Sequence, residues 1–550
     1  MVGFGLVEPT EEQRGRRVID ELSKPSGPRL SQRFTGERVD SDVADFGCAR
    51  SHRDERCPAG VEVPPLGREL RTHVDGHEPS TLTGTLRTMT DQLLEALGRE
   101  LPADRLVVDP DVLAGLSHDE AEWAAVGRAA VALRVRTESE VQAVVRVCAD
   151  LGVPVVARGA GSGLSGGANA VDGCAVLDLT RMTSVVDIDA DNLICVVQPG
   201  LITNDLKTAV AEHGMWYPPD PASAAWSTIG GNVATNAGGL CCLKYGVTRD
   251  YVLGMRAVVG GPAGYGTAVA LGRRTNKGVA GYDMTGLMVG SEGTLGVVTE
   301  VTLRLRPALV GTPRTVVGAF GSLVDAGQAV AVVTRRGLVP SVLELLDRVC
   351  LQAVEDWKHL GLDNDAAALL LARVDTPGDA GDAEAQAVVD SFEAAGAIWA
   401  TRSTDAAEAE ALFEARRLAY PALERLGPVL TEDVCVPRSK LPDMLAEVAA
   451  IADRHRIQIA TIAHAGDGNL HPLLLAPAGD DVARLRAQAA FEDLLDAAIA
   501  CGGTVTGEHG VGLLKKGGME RELGPESLRM QRAVKQALDP LGLFNPGKVL

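Results

Sequence analysis

Aromatic side chains are scarce, 3% of 550 residues, so the chain cannot offer the ring platforms on which single-stranded nucleic acids stack. Positive charge is in deficit as well. The 53 Lys and Arg face 73 Asp and Glu, a formal net charge of -20, which repels phosphate backbones and anionic lipid surfaces. Nucleic acid is thereby excluded as a partner. The 10 cysteines are scattered, Cys241 beside Cys242, and no CxxC pair occurs; neither a zinc cage nor an iron-sulfur cluster can be read from them, and a reducing compartment suits them. No apolar run is long enough to span a bilayer, and the opening MVGFGLVEPTEEQRGRR carries charges where a signal peptide needs apolar residues. The expected location is the cytoplasm, at most peripheral to the inner face of the membrane.

What the chain does have is length, 46% hydrophobic residues and 62 glycines, which suits two or more α/β or α+β domains rich in backbone contacts. Residues 1–80 are Arg-, Asp-, Pro- and Gly-rich without periodicity, and are expected to be a disordered extension. Met89 offers an alternative translation start. From Leu106 apolar strands such as VPVVAR and AVLDL alternate with a helical pattern, ESEVQAVVRVCADLG, as far as Arg306. Beyond Pro307, residues 307–550 combine apolar-periodic helices with strands such as AALLLARV and IQIATIAHA, an α+β second domain.

Directly after VPVVAR comes RGAGSGLSGGA, in which Gly161, Gly163 and Gly166 match G-x-G-x-x-G, with Asp187 or Asp189 some twenty residues on. A dinucleotide fingerprint needs a helix to begin there. The residues that follow, NAVDGCAVLDL, instead predict a turn and a strand, leaving a loop whose bare N–H groups form an anion nest beside Arg158, or simply a flexible connection. A second glycine-rich stretch, residues 218–239, is too long for a plain connection and holds Thr228, Asn232 and Asn236, polar groups suited to a large cofactor. A third, GYDMTGLMVGSEGTLGVVTEVTLRL, sets Glu292 just before a strand whose Val297 and Val298 could meet a planar ring.

In the second domain HAGDGNLHP places His464 and His471 seven residues apart, with GDGN between them favouring a tight turn that brings both imidazoles to one point. GTVTGEHGVG adds Glu508 and His509. Two imidazoles and a carboxylate suit zinc, and also manganese or iron; by spacing alone, histidines that merely bond loop backbone are the commoner case.

These segments, in this order, resemble the flavin domain of the vanillyl-alcohol oxidase and p-cresol methylhydroxylase superfamily (PCMH/VAO type), and within it the FAD-linked oxidases that include D-lactate dehydrogenases and the glycolate oxidase flavin subunit. The resemblance covers residues 106–550. It implies a two-part FAD-binding domain, residues 106–306, followed by an α+β substrate (cap) domain, residues 307–550. It assigns FAD contacts to Arg158, Gly159, Ala160, Gly161, Ser162 and Gly163 at the pyrophosphate, and to Pro221, Thr228, Gly231, Asn232, Asn236, Gly238, Glu292, Gly296 and Val298 elsewhere. No His in the first loop could carry a covalent flavin link, so the FAD is expected to be noncovalent. The resemblance makes His464, His471 and Glu508 ligands of one divalent metal, His509 the catalytic base and Arg416 the anchor of a substrate carboxylate.

The implied activity is oxidation of a small D-2-hydroxy acid, D-lactate favoured. Thr431 stands where D-2-hydroxyglutarate enzymes have a lysine, although Lys440, Arg438 or Lys515 could supply that charge. The rival readings are a glycolate oxidase flavin subunit, a D-2-hydroxyglutarate dehydrogenase, an alkylglycerone-phosphate synthase, and a flavin-retaining binding protein without turnover. The electron acceptor is open among a cytochrome, a quinone, an iron-sulfur subunit and an electron-transfer flavoprotein, and a homodimer is open too.

Overall fold

The computed structural model describes residues 80–550 apart from 364, 404 and 405; residues 1–79, nearly all of the segment read as disordered, lie outside the described residues. A helix, Ser80–Glu100, runs through Met89.

The first sheet is built on a βαβ unit. Thr137 caps the helix Glu138–Leu151 by a reciprocal pair of bonds with Glu140, and Gly152 ends it in the left-handed conformation. The helix buries Val141, Val144, Val145 and Cys148 in a core shared with strand residues Val131, Leu133, Val155 and Leu177. Strands Val131–Arg134, Ala175–Asp178 and Val155–Arg158 run parallel in that order, with Leu106–Val107 antiparallel at the edge. After Arg158 no helix forms until Thr203–Ala211. The glycine loop therefore links two neighbouring parallel strands, and a Rossmann arrangement is ruled out by its own requirement for a helix.

The second sheet is antiparallel, in the order Val185–Asp189, Ile194–Val197, Val297–Arg304, Val252–Val259, Thr267–Gly272. Within residues 218–239, expected to be irregular, a short helix forms at Ile229–Thr235. Thr228 caps its N-terminus and Asn236, at φ 56°, closes its C-terminus, so local capping organises what composition alone reads as loop.

The third sheet has eight strands. Its main path runs Ala397–Arg402, Arg314–Phe320, Ala368–Val374, Val342–Asp347, Gln458–His464, Asn469–Leu475, Val429–Thr431, and Val434–Cys435 also pairs with Asn469–Leu475. Both faces are buried, so its strands read as nearly continuous apolar runs. Leu343, Leu345, Leu370 and Ala372 point into one core, with Val330, Val388, Leu445 and Leu494 from the covering helices. Val342, Leu346, Leu369, Leu371 and Ile462 point into the other, under helices Arg348–Lys358 and Ala406–Glu424. Past the helix Lys516–Leu538 the chain returns to the first sheet: Val155 N–H donates to Leu543 O and Asn545 N–H to Val155 O. The last residues thus cross the sequence boundary drawn at residue 307.

Candidate active site

The glycine loop, residues 159–167, faces the helix Ile229–Thr235. A Cβ at Gly159 would collide with Thr228 Oγ1, so the two glycine-rich segments approach as closely as bare backbone permits. Gly159, Ala160, Ser162 and Gly163 keep part of their surface accessible, whereas Gly161 is buried against the Arg158 guanidinium. Arg158 itself is buried. Its Nη1 donates to His118 O at 2.5 Å, and its charge lies near Asp119 and Asp178 rather than open at the loop surface.

Several polar side chains of the second segment are engaged in the framework. Asn232 Nδ2 donates to Thr203 Oγ1 at 2.7 Å, Asn236 Oδ1 accepts from Arg249 N–H at 2.8 Å, and Thr228 Oγ1 accepts from Gly231 N–H at 3.2 Å. Pro221 and Gly231 are half-buried. Gly296 opens the strand on which Val298 pairs with Ala257; pairing with Ile194–Val197 starts only at Val301. Glu292, fully buried at φ 50°, accepts from Val511 N–H at 2.7 Å and Gly512 N–H at 2.9 Å. Burial lifts its pKa to about 7. Its carboxylate is thereby spent on tying the third segment to the loop that follows His509.

That loop meets a hairpin. Strands Gln458–His464 and Asn469–Leu475 pair His464 with Asn469 and Ile462 with His471, so the two imidazoles sit diagonally on one face, as the GDGN turn predicts. Their ring centroids are 5.2 Å apart, and the His471 and His509 rings stack at 4.9 Å. Glu508 Oε1 lies 3.2 Å from His464 Nε2 and 3.4 Å from His471 Nε2. A Cβ at Gly238 would collide with Glu508 Oε2, which puts the second glycine segment directly against this cluster.

Two residues that sequence reasoning did not assign hold the cluster together. Asp433, fully buried, accepts at Oδ2 from Thr506 Oγ1 and from the N–H groups of Gly507, Glu508 and His509, at 2.7–3.1 Å. Lys515 Nζ sits 3.6 Å from the same oxygen and 2.6 Å from Glu432. Glu344, also fully buried, contacts His464 Nδ1 at 2.7 Å through Oε1 and Arg416 through Oε2, with Nε at 2.9 Å and Nη2 at 2.8 Å. An acid inside the apolar run VLELL was a visible signal, since a buried carboxylate needs partners. For Asp433 the signal was weaker, an EDV step before a strand.

The electrostatics follow from this packing. Burial alone would lower the His464 imidazole, but the Glu344 and Glu508 carboxylates hold it well above its usual range. Burial opposes the charge of Glu508 too, yet His464 and His471 keep it far below the ordinary carboxylate range. Burial, aided by His471, pushes His509 down to about 4. The donor set fits a small dication. In tetrahedral coordination at about 2.1 Å, neighbouring donor atoms lie about 3.4 Å apart, close to the 3.2 and 3.4 Å found here. The ligand atoms of His464, His471 and Glu508 all lie within 4.8 Å of one another. Asp433, His471 and His509 form a second such group.

Residues 129–264 match the family description "FAD binding domain", and residues 312–549 match "FAD linked oxidases, C-terminal domain". The glycolate oxidase subunit GlcD of Bacillus subtilis (strain 168) is 40% identical over 415 residues, covering 75% of this chain and 87% of that protein. The chain belongs to the FAD-linked oxidases. A D-lactate dehydrogenase of Anaerostipes hadrus, in the same family, is 33% identical over 481 residues, covering 84% of this chain and 98% of that protein. The fold is that of p-cresol methylhydroxylase, whose substrate-bound crystal structure matches with a TM-score of 0.69 at 17% identity, over 85% of this chain and 97% of that one. The PCMH/VAO-type fold expected from the glycine segments is therefore the observed one, and the chain is an FAD-linked oxidoreductase. Among the described residues no helix is long and apolar enough to cross a membrane.

Proposed function

We propose that this FAD-linked oxidase converts a small D-2-hydroxy acid, D-lactate first among them, to the 2-oxo acid. The observation that carries the reading is the meeting of Glu508, His464 and His471 at 3.2–3.4 Å, with His509 next in the chain and the glycine segment pressed against Glu508 through Gly238. Noncovalent FAD, when bound, supplies a hydride acceptor at N5. A divalent cation held by His464, His471 and Glu508 supplies a Lewis acid that makes the substrate hydroxyl more acidic.

The chain's own residues do the rest. Arg416 turns Nε and Nη2 to Glu344, which leaves its Nη1 edge for a substrate carboxylate. His509 is kept neutral by burial and is free to take the hydroxyl proton. Asp433 fixes the backbone on which Glu508 and His509 stand, so base and ligand keep their spacing during turnover.

Lactate has about six heavy atoms, so its binding is bounded near 9 kcal/mol, and one cation and one arginine suffice to hold it. A dicarboxylate needs another positive partner. Lys515 is already paired with Glu432, Lys440 pairs with Asp443 at the surface, Arg438 is exposed with its charge near Asp467, and the cleft at Thr431 is lined by Glu120, Glu122 and Tyr420. That disfavours D-2-hydroxyglutarate. Glycolate stands as the second reading, because the relative that is 40% identical is named a glycolate oxidase subunit. The electron acceptor is a cytochrome, a quinone, an iron-sulfur subunit or an electron-transfer flavoprotein.

Anaerobic mixing of FAD-loaded protein with D-lactate, L-lactate, glycolate and D-2-hydroxyglutarate tests this, with bleaching of the flavin band followed before and after chelation. D-lactate or glycolate should bleach it, and chelation should slow the reaction at least about a hundredfold. Bleaching indifferent to chelation would remove the metal role, and no bleaching by any of the four would remove the substrate class.

A further inference from the structure

Glu344 touches neither of the groups proposed to react, yet it contacts both of the side chains that would hold them. It lies on Val342–Asp347, a strand paired on one side with Ala368–Val374 and on the other with Gln458–His464. The register that joins Leu345 to Ala463 sets Glu344 opposite His464. Arg416 reaches the same carboxylate from the helix Ala406–Glu424, which covers that face of the sheet through Leu412, Phe413 and Ala419. The carboxylate is completely buried and its two oxygens are divided, Oε1 to His464 Nδ1 and Oε2 to Arg416 Nε and Nη2.

We infer that Glu344 is a positioning residue that orients the cation-binding histidine and the anion-binding arginine at once, so that its loss weakens both binding events although it contacts neither ligand. The inference rests on the reading of His464 and Arg416 given above. A carboxylate can only accept, so Oε1 keeps a proton on His464 Nδ1 and leaves Nε2, which faces Glu508, as the ring nitrogen a cation would take. Oε2 engages one edge of the guanidinium and thereby fixes which edge of Arg416 is presented to an anion. Held by a strand with neighbours on both sides, the carboxylate cannot follow one partner without leaving the other.

Glu344→Gln keeps the volume and separates this role from simple support of the core. An amide offers one acceptor atom in place of two and turns an N–H₂ toward whichever donor is left. FAD-loaded full-length protein would be titrated with Zn²⁺ against a chromogenic chelator, and with acetate in the absence of metal as a probe of Arg416, using the flavin difference spectrum. Ligand-field spectra of the Co²⁺ form report the geometry at His464.

The expected results are a ten- to hundredfold weaker Zn²⁺ affinity, weaker acetate binding and an altered Co²⁺ spectrum; Glu344→Asp, which keeps the charge, should recover part of each. Asp375, which pairs with Lys244 and Tyr245, provides the control. Asp375→Asn should lower the unfolding midpoint while leaving Zn²⁺ affinity unchanged. Unchanged Zn²⁺ and acetate affinities in folded Glu344→Gln would overturn the inference alone. Failure of the parent protein to bind Zn²⁺ would overturn the metal reading and the inference with it.

Discussion

Asp433 shows how much one buried side chain can organise. Burial favours its neutral form, yet the nearby His509, Lys515 and His471 hold it ionised well below the usual carboxylate range, and one of its oxygens gathers four donors. Asp433→Asn should lower stability by about 1–3 kcal/mol, measured by denaturant unfolding, and should reduce flavin bleaching more than FAD content. Glu292 gives a pH signature. Burial raises its carboxyl from 4.5 to about 7, so the folded chain holds a proton that the unfolded chain releases. Its contribution to stability is present in full below pH 4.5 and is lost as pH rises through about 7. The stability advantage of the parent over Glu292→Gln should therefore shrink by about 3 kcal/mol across that window. Unfolding curves at pH 5 and pH 8 check this, and parallel behaviour of the two proteins would contradict it. Neither acid was assigned this work from sequence. Asp433 received no assignment and Glu292 is read as a cofactor contact, because a string of residues does not show which N–H groups a carboxylate will meet.

At the scale of elements, the hairpin between His464 and His471 converts a seven-residue spacing into a shared site. Its turn ends at Gly468, at φ +82°, where a Cβ would collide with Val436 O. Gly468→Ala should destabilise the protein by at least about 1–2 kcal/mol and weaken Zn²⁺ binding, since distortion of the turn shifts one imidazole against the other; equilibrium unfolding and chelator competition measure the two effects. The hairpin was legible in sequence because GDGN excludes a helix. The helix Ile229–Thr235 was not. IGG is a poor helix start by propensity, and the caps supplied by Thr228 and Asn236, together with burial of Ile229 and Val233, override it.

Over the whole molecule, contacts between residues far apart in sequence join the flavin sheets to the rest of the chain. Glu292 binds the backbone after His509, and the C-terminal residues lie along Val155, with Asn545 Nδ2 donating to Gly167 O and Glu292 O and Lys548 Nζ donating to Asn169 O. Removal of residues 543–550 should therefore lower FAD retention, read as the flavin-to-protein absorbance ratio after gel filtration, even though no cofactor contact was assigned to that segment.

By itself the sequence determined the alternation of strands and helices, the rejection of a Rossmann turn and the meeting of His464 and His471 across a tight turn, because each of these is a local matter of periodicity or turn chemistry; the order of its motifs carried the resemblance that implied the PCMH/VAO-type fold. Only the tertiary structure decided that Glu344 stands between His464 and Arg416, that Asp433 carries the Glu508 loop, and that Gly238 brings the glycine segment against Glu508. Those contacts join residues tens to hundreds of positions apart, and the register of paired strands and the packing of helices over them, which no local pattern encodes, bring them within hydrogen-bonding distance.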